Sequence, residues 1–133
     1  MSQRDLISEC LHDRTWAVVG FSKCEYKFGH IIYQDLIQVG FKVYPVNLRG
    51  GNYEGRTIYQ NIKDLPKKPG VVNIVTPPRK TEILVKECAE VGIERVWMQP
   101  GAESAEAISF CQEAELQVVY NACVLVELRS RSI

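Results

Sequence analysis

Short apolar runs alternate along the chain with segments that carry helical periodicity. Five runs are too short for helices and lack the polar alternate residue of a half-solvated strand. These runs lie at residues 16–19, 41–46, 71–76, 95–99 and 117–120. Continuous apolar runs of this length are typical of strands covered on both faces, so the pattern predicts five buried strands.

The segments between the runs repeat their apolar residues at helical spacing. Three of the predicted helices lie at about residues 2–11, 29–39 and 104–113, and another follows the third run, with Leu84, Cys88 and Val91 at helical spacing before Gly92. Ser2 and Asp5 resemble a capping box at the start of the first helix, and Ile32 and Leu36 share one face of the second, before Gly40. Strands that alternate with helices predict an α/β fold, an open, doubly wound parallel sheet of about five strands with flanking helices.

One long segment breaks this alternation. Residues 48–69 contain several glycines and prolines, with a small extended excursion at about residues 53–59. Loops of this length in a compact protein are often functional, but many only cover a face. Both interpretations stay open for this segment.

Composition excludes several classes of protein. The 133 residues fit one domain, 1–133, and 16 basic against 16 acidic residues give a formal net charge of zero. A neutral surface lacks the electrostatic footprint of nucleic-acid or membrane-surface binding, and no apolar run reaches the ~18 residues of a membrane span. The charged N-terminus is unlike a secretory signal. We expect a cytoplasmic protein that binds neither nucleic acid nor membrane; a protein partner or a homo-oligomer stays open.

Cysteine usage agrees with a reducing compartment. The five cysteines are odd in number, widely spaced and form no CxxC pair, which argues against a disulfide framework and against a metal site. Cys24 and Cys123 follow predicted strands, so they fall near the edge where ligands bind such sheets.

In an open α/β sheet, ligands bind beyond the carboxyl ends of the strands. Small residues, prolines and polar groups follow these ends here. The segments concerned are 20–23, 47–51, 76–78, 100–102 and 121–123. The first loop ends at a helix N-terminus, which favours anions, and Ser22, Lys23 and Lys27 add donors. This rim suits an extended ligand with phosphates at one end and apolar groups elsewhere.

A nicotinamide dinucleotide fits the rim less well. The loop after the first strand has Gly20 but no G-x-G-x-x-G, and Asn47 stands where an NAD site places an acidic residue. Arg49 keeps an NADP-like interpretation open.

Several segments together resemble a known family. They are Gly20-Phe21-Ser22, Tyr44-Pro45-Val46-Asn47, Gly55-Arg56, Thr76-Pro77-Pro78, Val96-Trp97-Met98-Gln99 with Gly101, and Asn121-Ala122-Cys123. In this order they resemble the stand-alone CoA-binding domain proteins, which are similar to the N-terminal CoA-binding domain of the succinyl-CoA synthetase α subunit. The resemblance implies a Rossmann-like fold with coenzyme A bound across the strand ends.

The resemblance assigns roles to individual positions. It places the pyrophosphate on the first loop, the phosphates near Arg49, the middle of the ligand on the third strand end, and the pantetheine arm near the fourth. The expected CoA contacts are Gly20, Phe21, Ser22, Lys23, Phe28, Gly29, His30, Val46, Asn47, Arg49, Thr76, Pro77, Pro78, Gln99, Pro100, Gly101 and Asn121. Tyr26, Phe28, Tyr53 and Tyr59 either stack on the adenine or pack the two long loops together.

The residues offer no evident set of acid, base and nucleophile, and no segment resembles the phosphohistidine segment of the synthetase. We therefore expect a non-catalytic protein that binds CoA or a CoA derivative and acts as a sensor, carrier or regulatory module. An NADP- or nucleotide-dependent enzyme on the same fold, and an interaction domain that has lost its ligand, are the alternatives.

Overall fold

The computed structural model describes residues 2–131, so residues 1, 132 and 133 of the expected 1–133 domain lie outside the described residues. The helices are α1 (Gln3–His12), α2 (Phe28–Gln38), α3 (Pro78–Glu90), α4 (Ala105–Glu113) and α5 (Val124–Arg129), with a 3-10 turn at Ile62–Asp64. The strands are β1 (Thr15–Val19), β2 (Lys42–Val46), β3 (Gly51–Tyr53), β4 (Arg56–Ile58), β5 (Val71–Ile74), β6 (Arg95–Met98) and β7 (Gln117–Val119).

The main sheet confirms the predicted fold. Its five strands are parallel and run in the order β2-β1-β5-β6-β7. The chain moves from β1 outward to β2 on one side and later returns to build β5, β6 and β7 on the other side. The order therefore reverses between β1 and β5, which is where ligands bind in Rossmann-like folds.

Helices cover both faces of this sheet. On one face, α1, α2 and α5 bury Trp16 and Trp97, whose ring centroids lie 5.8 Å apart. On the other face, α3 and α4 bury Val72 and Met98 with their neighbours. Successive strand residues point to opposite faces, so a strand that is apolar throughout is buried on both sides, as the sequence pattern predicted.

The long segment 48–69 folds partly into a small hairpin. β3 and β4 pair in antiparallel fashion, and the chain then rejoins the sheet beside β2. The backbone N–H of Tyr59 donates to Pro45 O at 2.9 Å, and that of Asn47 donates to Tyr59 O at 2.8 Å. The extended excursion expected from the sequence is present, and these bonds fix it at the carboxyl edge of the sheet.

The short helix α5 follows no sequence signal used above. Its N-terminus is held by other elements: Val124 N–H donates to the Gln99 side-chain oxygen at 2.9 Å, and the Trp97 indole donates to Ala122 O at 2.8 Å. β5 also ends at Ile74, before the predicted residue 76, because Thr76 and Pro77 already lead into α3.

Candidate functional site

The loop after β1 is attached to the end of the neighbouring strand β2. The backbone N–H groups of Gly20 and Phe21 donate to Val46 O at 3.0 and 3.1 Å. The Asn47 side chain donates to Phe21 O at 2.6 Å and accepts from the Arg49 N–H at 2.8 Å. Asn47 therefore holds the first loop, residues 20–27, and the start of the second loop, residues 47–50, together.

Two glycines let this loop approach its neighbours closely. Gly20 has a φ of 101°, and a Cβ there would overlap the Val75 carbonyl oxygen. A Cβ on Gly29 would overlap the carbonyl oxygen of Gly20 and lie 3.2 Å from Phe21 Cα. Gly29, the second residue of α2, therefore lets the helix N-terminus sit directly against the loop.

Several donors of this loop are uncommitted. Within residues 2–131, the backbone N–H groups of Ser22, Lys23, Phe28 and Gly29 donate to no protein acceptor. The Lys23 ammonium lies 3.6 Å from the position that a Cβ on Gly51 would take. Arg49, two residues before Gly51, is exposed. Free amides at a helix N-terminus favour phosphate, and the Lys23 ammonium adds a positive charge beside Gly51.

His30 supports the loop from beneath. It is 5% exposed, and its Nδ1 donates to Ser22 O at 2.8 Å. On the other side of the ring, Nε2 lies 3.4 Å from the Tyr53 hydroxyl, which accepts from the Gln34 amide at 3.0 Å. Both ring nitrogens therefore face protein groups, while a direct contact of His30 with a phosphate stays a prediction.

The four aromatic residues considered for stacking separate into two pairs. Tyr53 packs edge-on against Phe21 and His30, with centroids 5.4 and 5.2 Å away, and Tyr59 packs against Tyr44. These two rings join the loops to each other and to β2. Tyr26 and Phe28 are instead 91% and 61% exposed, so their rings are accessible to a ligand.

A groove of about 330 Å³ opens beside the first loop, on the α3 face of the sheet. Gly20, Val46, Asn47 and Thr76 line it, as expected from their places at strand ends. Its other lining residues are Val19, Leu48, Gln60, Asn61, Ile62, Lys80, Ile83, Leu84 and Glu87. Leu48 and Ile83 are 66% and 63% exposed, unusual values for large apolar side chains that face one cleft.

The α3 wall of this groove was missed by reasoning from strand ends. Lys80, Ile83, Leu84 and Glu87 recur at helical spacing, so they share one face of α3. That spacing was available in the sequence, but only the packing of α3 shows that this face meets the second loop.

The predicted contacts of the pantetheine arm lie outside this groove. Pro100, Gly101 and Asn121 are exposed at the ends of β6 and β7. Gln99 is buried, accepts from Val124 N–H and lies with its amide nitrogen 3.4 Å from Cys123 Sγ. Pro77 and Pro78 begin α3 at the mouth of the groove, next to Thr76, whose hydroxyl lies 2.8 Å from that of Thr81.

The cysteines divide by accessibility. Cys24 is exposed and Cys123 is half-buried, whereas Cys10, Cys88 and Cys111 are buried. Burial raises the pKa of the Cys10 thiol to about 12 and that of Cys111 to about 11, and it raises the pKa of Cys88 as well. These three thiols therefore stay protonated at neutral pH.

A metal site and a membrane span would each have a recognisable structure. Among residues 2–131, no group of three or more His, Cys, Asp or Glu side chains is placed to hold a metal ion. Within the same residues, no helix has the length and apolar character needed to cross a membrane.

Comparison with known proteins gives relatives in archaea. The chain is 33% identical, over 81 residues, to the alpha subunit of ADP-forming acetate–CoA ligase II from Pyrococcus furiosus; the match covers 60% of this chain and 18% of that subunit. A further ADP-forming acetate–CoA ligase, from Methanocaldococcus jannaschii, is 26% identical over 83 residues, 62% of this chain and 12% of the ligase. The chain thus spans less than a fifth of the length of these curated relatives.

Solved structures of similar length also match. A conserved hypothetical protein from Pyrococcus furiosus is 39% identical with a TM-score of 0.82, and the match covers 86% of this chain and 98% of that one. A hypothetical protein from Pyrococcus horikoshii is 28% identical with a TM-score of 0.90, covering 98% of this chain and 92% of that one. The family model for a CoA binding domain matches residues 14–129. This match confirms the resemblance noted from the sequence, and the chain belongs to the CoA binding domain family.

Proposed function

We propose that this chain, as one domain, binds coenzyme A or a CoA derivative without catalysing a reaction of its own. The observation that carries the proposal is the junction of the loops that follow β1 and β2. There, a loop with free amides and Lys23 is bonded through Asn47 to the backbone of Arg49, and an apolar groove opens beside it. CoA combines the same features, since it has a pyrophosphate, a further phosphate and an aromatic base within one molecule.

The geometry supports a particular placement of the nucleotide end. In our proposal the amides of Ser22 and Lys23 and the Lys23 ammonium bind the pyrophosphate, and Arg49 binds the 3′-phosphate. The base enters the groove between Leu48 and Ile83, whose exposed apolar side chains line it. A flat ring bound there would bury apolar surface, and each Å² removed from water stabilises the complex by about 25 cal/mol.

The pantetheine arm then follows the carboxyl edge of the sheet. We propose that it leaves the first loop past Thr76 and Pro77 towards Gln99, Pro100, Gly101 and Asn121. In this role Gln99 acts through its neighbours, because its side chain is already bonded to the start of α5.

A non-catalytic role rests on the side chains around the groove. Lys80 and Glu87 are the ionisable residues that line it, and the groove holds neither a serine nor a cysteine as nucleophile. The ligase relatives are far longer than this chain, so the comparison carries no activity over to it. We propose a sensor, carrier or regulatory module in the cytoplasm.

Thermal unfolding with added ligands tests this proposal. A ligand at a hundred times its Kd adds about 2.7 kcal/mol to the free energy of unfolding, which raises the melting temperature of a domain of this size by roughly 5–15 °C. We expect CoA to raise the melting temperature more than NAD or NADP at equal concentration. A larger rise with NADP would contradict the proposal and favour the dinucleotide alternative.

A further inference from the structure

The α3 wall of the groove is polar at both ends and apolar in the middle. Lys80 and Glu87 are seven residues apart on one face, about 10 Å along the helix axis, with Ile83 and Leu84 between them. Lys80 is in the first turn of α3, at the carboxyl edge of the sheet near Gly20. Glu87 lies two turns further from that edge, so the two charges mark opposite ends of the groove.

The other polar groups of the groove are largely engaged. Asn47 bonds both loops, Thr76 bonds Thr81, and the Gln60 amide donates to Leu48 O at 3.0 Å. The exposed Asn61 stands on the opposite wall. Among the described lining residues, Asn61 and the charged ends of α3 are therefore left to recognise a ligand.

Glu87 is an uncommitted acceptor at the inner end. Within residues 2–131 its carboxylate makes no ion pair, and the nearby Lys63 is bound to Glu90 at 3.3 Å. An ionised carboxylate only accepts hydrogen bonds, so it favours a ligand that presents an N–H donor at this point and disfavours one that presents a carbonyl oxygen.

We propose that Glu87 determines base specificity by accepting a hydrogen bond from the amino group of a 6-aminopurine. The inference rests on the proposed function, because it needs the base of CoA in this groove. Lys80 then faces the phosphate side of the same nucleotide, and Ile83 and Leu84 contact the ring. The charge order along α3 matches the order of an adenine nucleotide, which is anionic at one end and carries an exocyclic amine at the other.

Binding of CoA and of its 6-deamino analogue, in which unsubstituted purine replaces adenine, tests this assignment by isothermal titration calorimetry. The wild-type protein should prefer CoA by about tenfold or more, the scale of one hydrogen bond to a charged group. Glu87→Gln should reduce this preference, because a neutral amide accepts a weaker hydrogen bond from the amine than a carboxylate does. Lys80→Gln should lower the affinity for both ligands equally. Glu94→Gln, an exposed change at the other end of the sheet, is the matched control and should keep the wild-type preference.

The outcomes separate the two levels of the argument. Equal binding of both ligands by the wild type, or an equal loss of both in Glu87→Gln, would overturn the role of Glu87 and leave CoA binding intact. Binding of neither ligand to the wild type would overturn the proposed function and this inference with it. Melting temperatures of each variant without ligand show whether a loss of binding reflects a loss of fold.

Discussion

The contact between Gly29 and the first loop can be tested with one methyl group. In Gly29→Ala the new Cβ would overlap the Gly20 carbonyl oxygen and lie 3.2 Å from Phe21 Cα. Both partners are backbone, so no side chain can rotate away and either α2 or the loop must shift. The substitution therefore acts on the surface that we assign to the phosphates.

Two opposing effects set the expected change in stability. Alanine favours a helix over glycine by about 0.8–1.0 kcal/mol, and this gain is smaller in the first turn. Overpacking against a fixed backbone costs about 1–3 kcal/mol. We expect the clash to dominate and the free energy of unfolding to fall by about 1–2 kcal/mol. If movement of the loop relieves half or more of the strain, CoA affinity falls about three- to tenfold.

The other end of the same helix provides the control. Gly40 has a φ of 95° and open space where a Cβ would lie, so Gly40→Ala strains the backbone by about 1–2 kcal/mol without touching the loop. Urea denaturation and CoA titration of both variants complete the comparison. Gly40→Ala should lose stability alone, whereas Gly29→Ala should lose stability and affinity. Wild-type stability and wild-type CoA affinity in Gly29→Ala would refute the argument.

Four further predictions concern the phosphate contacts, the accessible thiols, the buried thiols and a buried amide. Lys23→Ala and Arg49→Ala should each weaken CoA binding by about 1–3 kcal/mol. When dephospho-CoA is the ligand, the loss of affinity should become smaller for Arg49→Ala only. Unchanged CoA affinity in both variants would contradict the phosphate assignment. Alkylation of the native protein at pH 8, followed by peptide mapping, should label Cys24 first and Cys123 more slowly, and early labelling of a buried thiol would contradict the raised pKa values. The protected thiols are Cys10, Cys88 and Cys111. Because folding raises the pKa of these three thiols above 9.0, their contribution to the free energy of unfolding should be fully present below about pH 9 and decrease above it. Asn73→Leu should leave the melting temperature unchanged or raise it, because both polar atoms of the buried Asn73 amide lack a partner within residues 2–131; a fall by several degrees would contradict this reasoning.

The fold was largely predictable because its strands are covered on both faces. Strands such as β1 therefore stand out as unbroken apolar runs, and the helices carry one stripe of apolar residues each. The exception is α5, which has six residues and no side-chain cap at Cys123. It depends on bonds from Gln99 and Trp97, over 20 residues away in sequence, and such contacts have no local signal.

The candidate site was predictable only where it follows strand ends. That rule places Gly20, Asn47 and Thr76 in the groove, since parallel strands end at one edge. The Glu87 side of the groove depends on how α3 packs against the 3-10 turn, which the pattern of one helix does not specify. Gln99 illustrates the converse, because a residue expected at the ligand is buried and bonded within the protein.

Gly29 is a residue whose importance only the structure reveals. The absence of a side chain at the second position of α2 admits a close approach of helix and loop. The sequence shows the glycine, but only the backbone geometry shows that a Cβ would meet the Gly20 carbonyl.

Native mass spectrometry of the purified chain, mixed with equal amounts of CoA and NADP, tests the central claim most directly. We predict a complex that is heavier than the free chain by the mass of one CoA and that is less abundant for the Lys23→Ala variant. Retention of NADP in preference to CoA, or of neither ligand when both are in large excess over the protein, would contradict CoA binding.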